Sequence, residues 1–131
     1  MNGSRESRLP ALYALASRGL VALFFLGDGL LKVVRPDRAV EGLSGMGLAF
    51  PVELNYLGAV IEIGGALCLL TGVRVWAASL LLALYLLSAS FLKHVPVANA
   101  QPAQLLEVLR DAAVAGGLIL LAGVHRHGRR R

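Results

Sequence analysis

Of the ionisable residues inside or at the edges of long apolar runs, six form a candidate set: Asp28, Lys32, Glu62, His94, Arg110 and Asp111. Charged groups within a bilayer are costly, usually face protein rather than lipid, and mark a functional site by default. Their spacing lets them interact. Asp28 and Lys32 are four residues apart, as are Ser90 and His94, and Glu107 and Asp111, so each pair shares one helical face. Arg110 follows Glu107 by three. Asn55, Gly58, Glu62 and Gly65 fall on a single stripe, and the two glycines let a second helix come close around the carboxylate. Two roles stay open for this set. One is an interhelical tie, in which Glu62 meets Lys32 or Arg110 and fixes the register of the helices. The other is a small polar pocket that takes a lipid head group, a quinone or another ligand, with Glu62 able to carry a proton inside it. Lys32, Lys93 and His94 also lie near enough to the ends of their runs to reach head groups by snorkelling.

Other chemistries lack their residues. Cys68 is the only cysteine, so no intrachain disulfide or CxxC pair exists and a vitamin-K-epoxide-reductase-like thiol enzyme is excluded; Cys68 reads as a packing residue. His125 and His127 lie beyond the last apolar run, across the membrane from His94, so no two histidines meet to hold a haem and no metal site is expected. Ser88 and Ser90 read as hydroxyls that bond their own helix or stitch helices together. Walker and Rossmann glycine patterns are absent. Gly64-Gly65 and Gly116-Gly117 read as close-packing points. No cofactor is evident beyond a quinone or lipid for the pocket.

Four apolar blocks must position these residues: 9–34, 54–73, 75–92 and 105–124. About 20 residues in a helix cross a bilayer core, and blocks of this length without alternation are helices rather than barrel strands. The first block is too long for a secretory signal, and the signal-like Ala14-Leu15-Ala16 precedes most of it. At the rise of a helix, Asp28 lies about 9 Å from the end of the first block, Glu62 about 12 Å inside the second and Asp111 about 9 Å inside the fourth. With Ser90 and His94 at the end of the third, the polar groups fall at one level. Residues 72–74 form a tight turn, which makes the second and third helices an antiparallel hairpin. Between the first two, residues 37–48 carry Val40, Leu43 and Met46 at helical spacing, bracketed by Pro36 and Pro51, as a short amphipathic helix on the outer face would.

Composition agrees. The chain has 131 residues, 56% hydrophobic and 16% charged. With glycine counted and tyrosine omitted, about 65% is apolar, against about 45–50% in soluble domains. A chain this short cannot hide that surface from water, which excludes a soluble globular domain; disorder and fibrous repeats are excluded by the long apolar blocks. The net charge of +5 is an orientation signal rather than a nucleic-acid footprint. Arg5, Arg8, Arg18, Arg74 and the tail arginines at 126 and 129–131 share one side, and every acid except Glu6 lies on the other. Basic residues concentrate on the cytoplasmic side, so both termini are expected there, with the bilayer as the surrounding partner and no nucleic acid.

An ordered set of segments resembles the DoxX family of small bacterial membrane proteins. It runs through Gly29-Leu30-Leu31-Lys32 with Pro36, Gly47 and Pro51, Glu62-Ile63-Gly64-Gly65-Ala66-Leu67, Leu69-Leu70-Thr71-Gly72, Ser90-Phe91-Leu92-Lys93-His94 and Leu109-Arg110-Asp111-Ala112, spanning residues 20–123. The resemblance implies an all-α integral membrane four-helix bundle, one domain over 1–131, in a bacterial inner membrane. It also implies service to membrane oxidoreductase systems, as with a small terminal quinol oxidase subunit and complexes handling thiol or peroxide stress. The expected function is thus a non-catalytic accessory subunit with oxidoreductase partners, or self-association. The competing expectation is an autonomous binder or transporter of a small molecule or lipid, with Glu62 as its substrate or proton site. Carried over by position, the polar residues are Lys32, Glu62, His94, Arg110 and Asp111. Asp28 stands where an uncharged residue is usual, and Arg110 where lysine is.

Overall fold

The computed structural model describes residues 8–94 and 102–128, with side chains described for 10–93 and 102–126. Five α-helices make up nearly all of it: α1 Arg8–Val34, α2 Asp37–Gly45, α3 Pro51–Thr71, α4 Val75–His94 and α5 Pro102–Gly128. No strand occurs among the described residues. Within them, α1, α3 and α4 are long and apolar enough to cross a membrane, over Pro10–Val34, Pro51–Thr71 and Val75–Lys93. In α5 the charged early turns leave a shorter uncharged stretch, residues 112–124.

Local chemistry sets the boundaries. Pro36 disfavours helix in the residue before it, so α1 stops at Val34 after a last bond from the Arg35 N–H to the Leu31 carbonyl, 2.8 Å. The amphipathic helix forms as α2, buries none of its residues, and ends sooner than expected. Its last carbonyls are closed by Gly47 N–H on Ser44 and Leu48 N–H on Leu43, a double bond pattern that needs the left-handed backbone of Gly47 (φ 71°). The second long helix starts at Pro51, three residues before the apolar block, because proline's fixed φ and missing N–H suit a first helical position. It stops at Thr71 rather than residue 73, because Gly72 turns left-handed (φ 79°) and its N–H caps the Cys68 carbonyl. The tight turn then hands the chain to α4, whose first N–H groups bond the Arg74 carbonyl. The basic tail expected from residue 125 is still helical to Gly128, with Arg126 5.9 Å from the Trp76 ring centre.

Arg18 has a role that composition does not reveal. Its guanidinium donates from α1 to two terminal carbonyls of α3, those of Leu69 (2.8 Å) and Leu70 (3.4 Å). A cation here meets both the unpaired carbonyls and the negative end of the α3 dipole.

The long helices pack side by side in chain order, α1 on α3, α3 on α4 and α4 on α5, with α5 lightly touching α1. Arg18 beside Leu69 and Lys32 beside Asn55 show α1 and α3 to be antiparallel. Between the helices lies an apolar core of Ala22, Phe25, Ala66, Leu69, Leu82, Ala115, Leu118 and neighbours. Close approach comes from three glycines. A Cβ on Gly29 would meet Ile63 Cγ1 at 2.8 Å, on Gly58 the Tyr85 hydroxyl at 2.5 Å, and on Gly65 the Leu82 Cδ2 at 2.7 Å. Gly64, Gly116 and Gly117, expected to be packing points, face open space instead, because their helices turn them away from every neighbour.

Candidate polar site

The site is built where α1 ends, α3 begins, α4 ends and α5 begins. The predicted stripe on α3 is the buried one, comprising Asn55, Gly58, Glu62 and Gly65 together with Ala59, Ala66 and Leu69. It carries Glu62 to 2% exposure, opposite the face of α1 that holds Lys32. The Lys32 ammonium donates to Asp28 Oδ2 at 2.7 Å, to Glu62 Oε1 across the helix interface, and to the Tyr85 hydroxyl of α4 at 3.3 Å. An ammonium has three protons, so these three partners saturate it. Asn55 holds the same turn from the other side, donating from Nδ2 to the Lys32 carbonyl at 3.0 Å. That bond satisfies one of the carbonyls a helix C-terminus leaves unpaired.

On α5, Arg110 makes a separate arrangement. Its Nη2 lies 2.6 Å from Glu107 Oε2 and 3.1 Å from Asp111 Oδ1, while its Nε donates to the same Asp111 oxygen at 3.2 Å. Asp111 is buried; Arg110 and Glu107 are partly exposed. Of the two partners open for Glu62 in the sequence, Lys32 is therefore the one it takes.

Asp28, Lys32, Glu62, Arg110 and Asp111 all line one cavity of about 190 Å3, together with Tyr85, Ser90 and Lys93. His94 closes α4 beside them in sequence, but its side chain lies outside the described residues. Tyr85 and Lys93 are the residues that sequence reasoning missed as members. Tyr85 stands in an uncharged span where nothing singles it out, and Lys93 reads as a snorkelling end residue.

The cavity's hydrogen bonding is incomplete. Among the described residues, Glu62 Oε2 and Ser90 Oγ are buried without a partner, and so is Asn55 Oδ1 nearby. Unpaired buried polar atoms are rare and cost on the order of 1–3 kcal/mol each. Lys93 makes no ion pair among the described residues, although it shares the cavity with three carboxylates. The pocket thus offers a carboxylate oxygen and a hydroxyl as acceptors, with a hydroxyl and an ammonium as donors. At about 30 Å3 per water it has room for about six waters or one ring-sized head group. No group of three histidine, cysteine, aspartate or glutamate side chains suited to a metal ion occurs among the described residues. Cys68 is a free, half-buried thiol on α3 and does not line the cavity.

Comparison with known proteins gives one kind of match. The family model for DoxX matches residues 13–95, more than half of the chain, from α1 through the end of α4. Asp28, Lys32, Glu62, Tyr85, Ser90 and Lys93 fall within the match, and Arg110 and Asp111 follow it. No curated protein and no solved structure matches the chain.

Proposed function

Because the chain belongs to the DoxX family of membrane proteins, we propose that it serves a membrane oxidoreductase system as an accessory subunit, holding a quinone head group in the polar pocket. The observation that carries this proposal is a pair of buried atoms, Glu62 Oε2 and Ser90 Oγ, on one cavity with the cation Lys93, all three without a hydrogen-bond or ion-pair partner there among the described residues. Spare acceptors in a cavity of this size cost stability unless an occupant donates to them. A quinone carbonyl accepts from Lys93 or Ser90, and a quinol hydroxyl donates to Glu62, so one pocket accommodates both redox forms. Glu62 is the proton-carrying group in this account.

The proposed topology is four crossings in a bacterial inner membrane with both termini cytoplasmic, so the pocket opens in the outer half of the bilayer. Support comes from the charge asymmetry: Arg18 and Arg74 lie at one end of the helices and the acids at the other. In α5, the Arg110 pairs with Glu107 and Asp111 lower the cost of a crossing that starts with charged turns.

The test is titration of the purified chain with short-chain quinones while melting is followed. A ligand at about one hundred times its Kd adds about 2.7 kcal/mol of stability. Wild type should show the rise, and Glu62→Gln should lose it while still folding. A tagged chain that purifies alone from mildly solubilised membranes, and that melts unchanged with quinone, overturns the proposal. Loss of stability in Glu62→Gln with no ligand effect in either form assigns the cluster to the interhelical tie.

A further inference from the structure

A second and larger cavity, about 580 Å3, lies between the end of α1, α2 and the end of α4. Its charged walls are Arg35, Asp37, Arg38 and Lys93, with Asp28 and Lys32 at its base. Lys32 is already saturated, and Asp28 is bonded to it. Among the described residues Arg35, Arg38 and Lys93 form no ion pair, so three uncommitted cations face a single uncommitted acid, Asp37. Directly beside it, sharing Lys32, Ala39 and Lys93 as walls, runs an apolar groove of about 170 Å3 under α2, lined by Leu43, Leu48, Leu54 and Leu92. The segments able to cross a membrane end at Val34 and Lys93, which sets the cationic cavity at head-group depth and the groove next to it at the acyl boundary.

We propose that α2 roofs a binding site for one anionic phospholipid, its phosphate among Arg35, Arg38 and Lys93 and an acyl chain in the groove beneath α2. Two guanidinium forks and an ammonium match the oxygens of a phosphodiester, and charge-assisted bonds of this kind are the stronger ones. A soluble phosphate would use the cations and leave the groove empty; a zwitterionic lipid would bring its own cation into a cavity that already has an excess. The site shares the walls Asp28, Lys32 and Lys93 with the quinone pocket, where Ser90 can serve the quinone carbonyl in place of Lys93; Arg35 and Arg38 belong to the lipid site alone, so its test does not depend on that pocket's ligand.

The experiment uses the purified full chain in mild detergent and native mass spectrometry, with phosphatidylglycerol, phosphatidylcholine and inorganic phosphate as separate probes. One phosphatidylglycerol should be retained in preference to phosphatidylcholine. At about 1 kcal/mol per basic residue near an anionic surface, Arg35→Gln with Arg38→Gln should weaken its retention about thirtyfold. Replacing the tail arginines at 129–131 by glutamine should leave it unchanged. No preference between the lipids, an equal effect of the tail variant, or equal stabilisation by free phosphate each overturns the proposal. A further measurement needs no variant: phosphatidylglycerol with a photoreactive acyl chain should label residues 43–54 of the native chain, and labelling confined to other segments also overturns it.

Discussion

The two halves of the helix assembly are held together by different physics. In the half near the tight turn, Ala22, Phe25, Ala66, Leu69, Leu82 and Leu118 interlock, and Gly65 lets Leu82 sit against the α3 backbone. In the other half, helices meet through Lys32, Glu62, Tyr85 and Asn55, and some acceptors have no donor among the described residues. Lipid tails are as apolar as leucine, so the first half gains nothing from excluding water and depends on close fit alone. The second half gains Coulomb energy in a low dielectric and incurs desolvation of the same charges. Unpaired buried hydroxyls do not separate the halves, since among the described residues Ser79 Oγ of the fitted half lacks a partner as Ser90 Oγ does. The halves differ instead in charge: one is held by fit alone, the other by a buried ion pair with an unpaired carboxylate oxygen beside it.

The contrast breaks most sharply at Glu62. Removing one member of a buried ion pair costs about 3–5 kcal/mol, so Glu62→Ala should lower stability by that order in thermal unfolding followed by circular dichroism. Replacing both members with apolar groups of similar volume is often neutral. Lys32→Met combined with Glu62→Leu should accordingly recover most of the loss while abolishing quinone binding. A double variant as unstable as the single one makes the ion pair a requirement of the fold.

A smaller effect is expected in the fitted half. Gly65→Ala drives a methyl into Leu82 and should cost about 1–3 kcal/mol, without changing any ligand affinity at the polar end. Gly116→Ala, into open space, should gain up to about 1 kcal/mol from helix propensity. Equal melting of the two alanine variants would mean that the close contact at Gly65 does not hold the helices together. The smallest loss, about 1 kcal/mol, belongs to Arg18→Gln, which removes the charge from the α3 terminus but keeps a hydrogen-bond donor. High salt should not reproduce that loss if the partly buried bond to Leu69 carries it.

Much of this layout is legible in the sequence because it follows from periodicity. The stripe Asn55, Gly58, Glu62, Gly65 is a local fact about one helix, and so are the i,i+4 pair on α1 and the glycine stop at residue 72. What the sequence leaves out is how each helix is rotated against its neighbours. That rotation decides that Tyr85, in a span without charge, reaches the Lys32 ammonium. It also decides that Arg110 satisfies its own helix's acids rather than Glu62, and that Gly64 and Gly116 face outward although Gly65 faces in. Arg18 is the clearest case: its charge gives an orientation, but its partners are backbone carbonyls fifty-one and fifty-two residues away, which no side-chain pattern encodes.

The Arg18 bonds have a mechanical consequence. They fasten α1 to α3 at one rim, and the lysine that meets Glu62 is fourteen residues, about 21 Å, further along α1. A lever pivoted at that rim opens by 1 Å at the far end for a tilt of only about 3°. Tilting about that rim is resisted at the far end by the Lys32 bonds to Glu62 and Tyr85 and by the Asn55 bond to the Lys32 carbonyl, so α1 and α3 are pinned at both ends of the bundle.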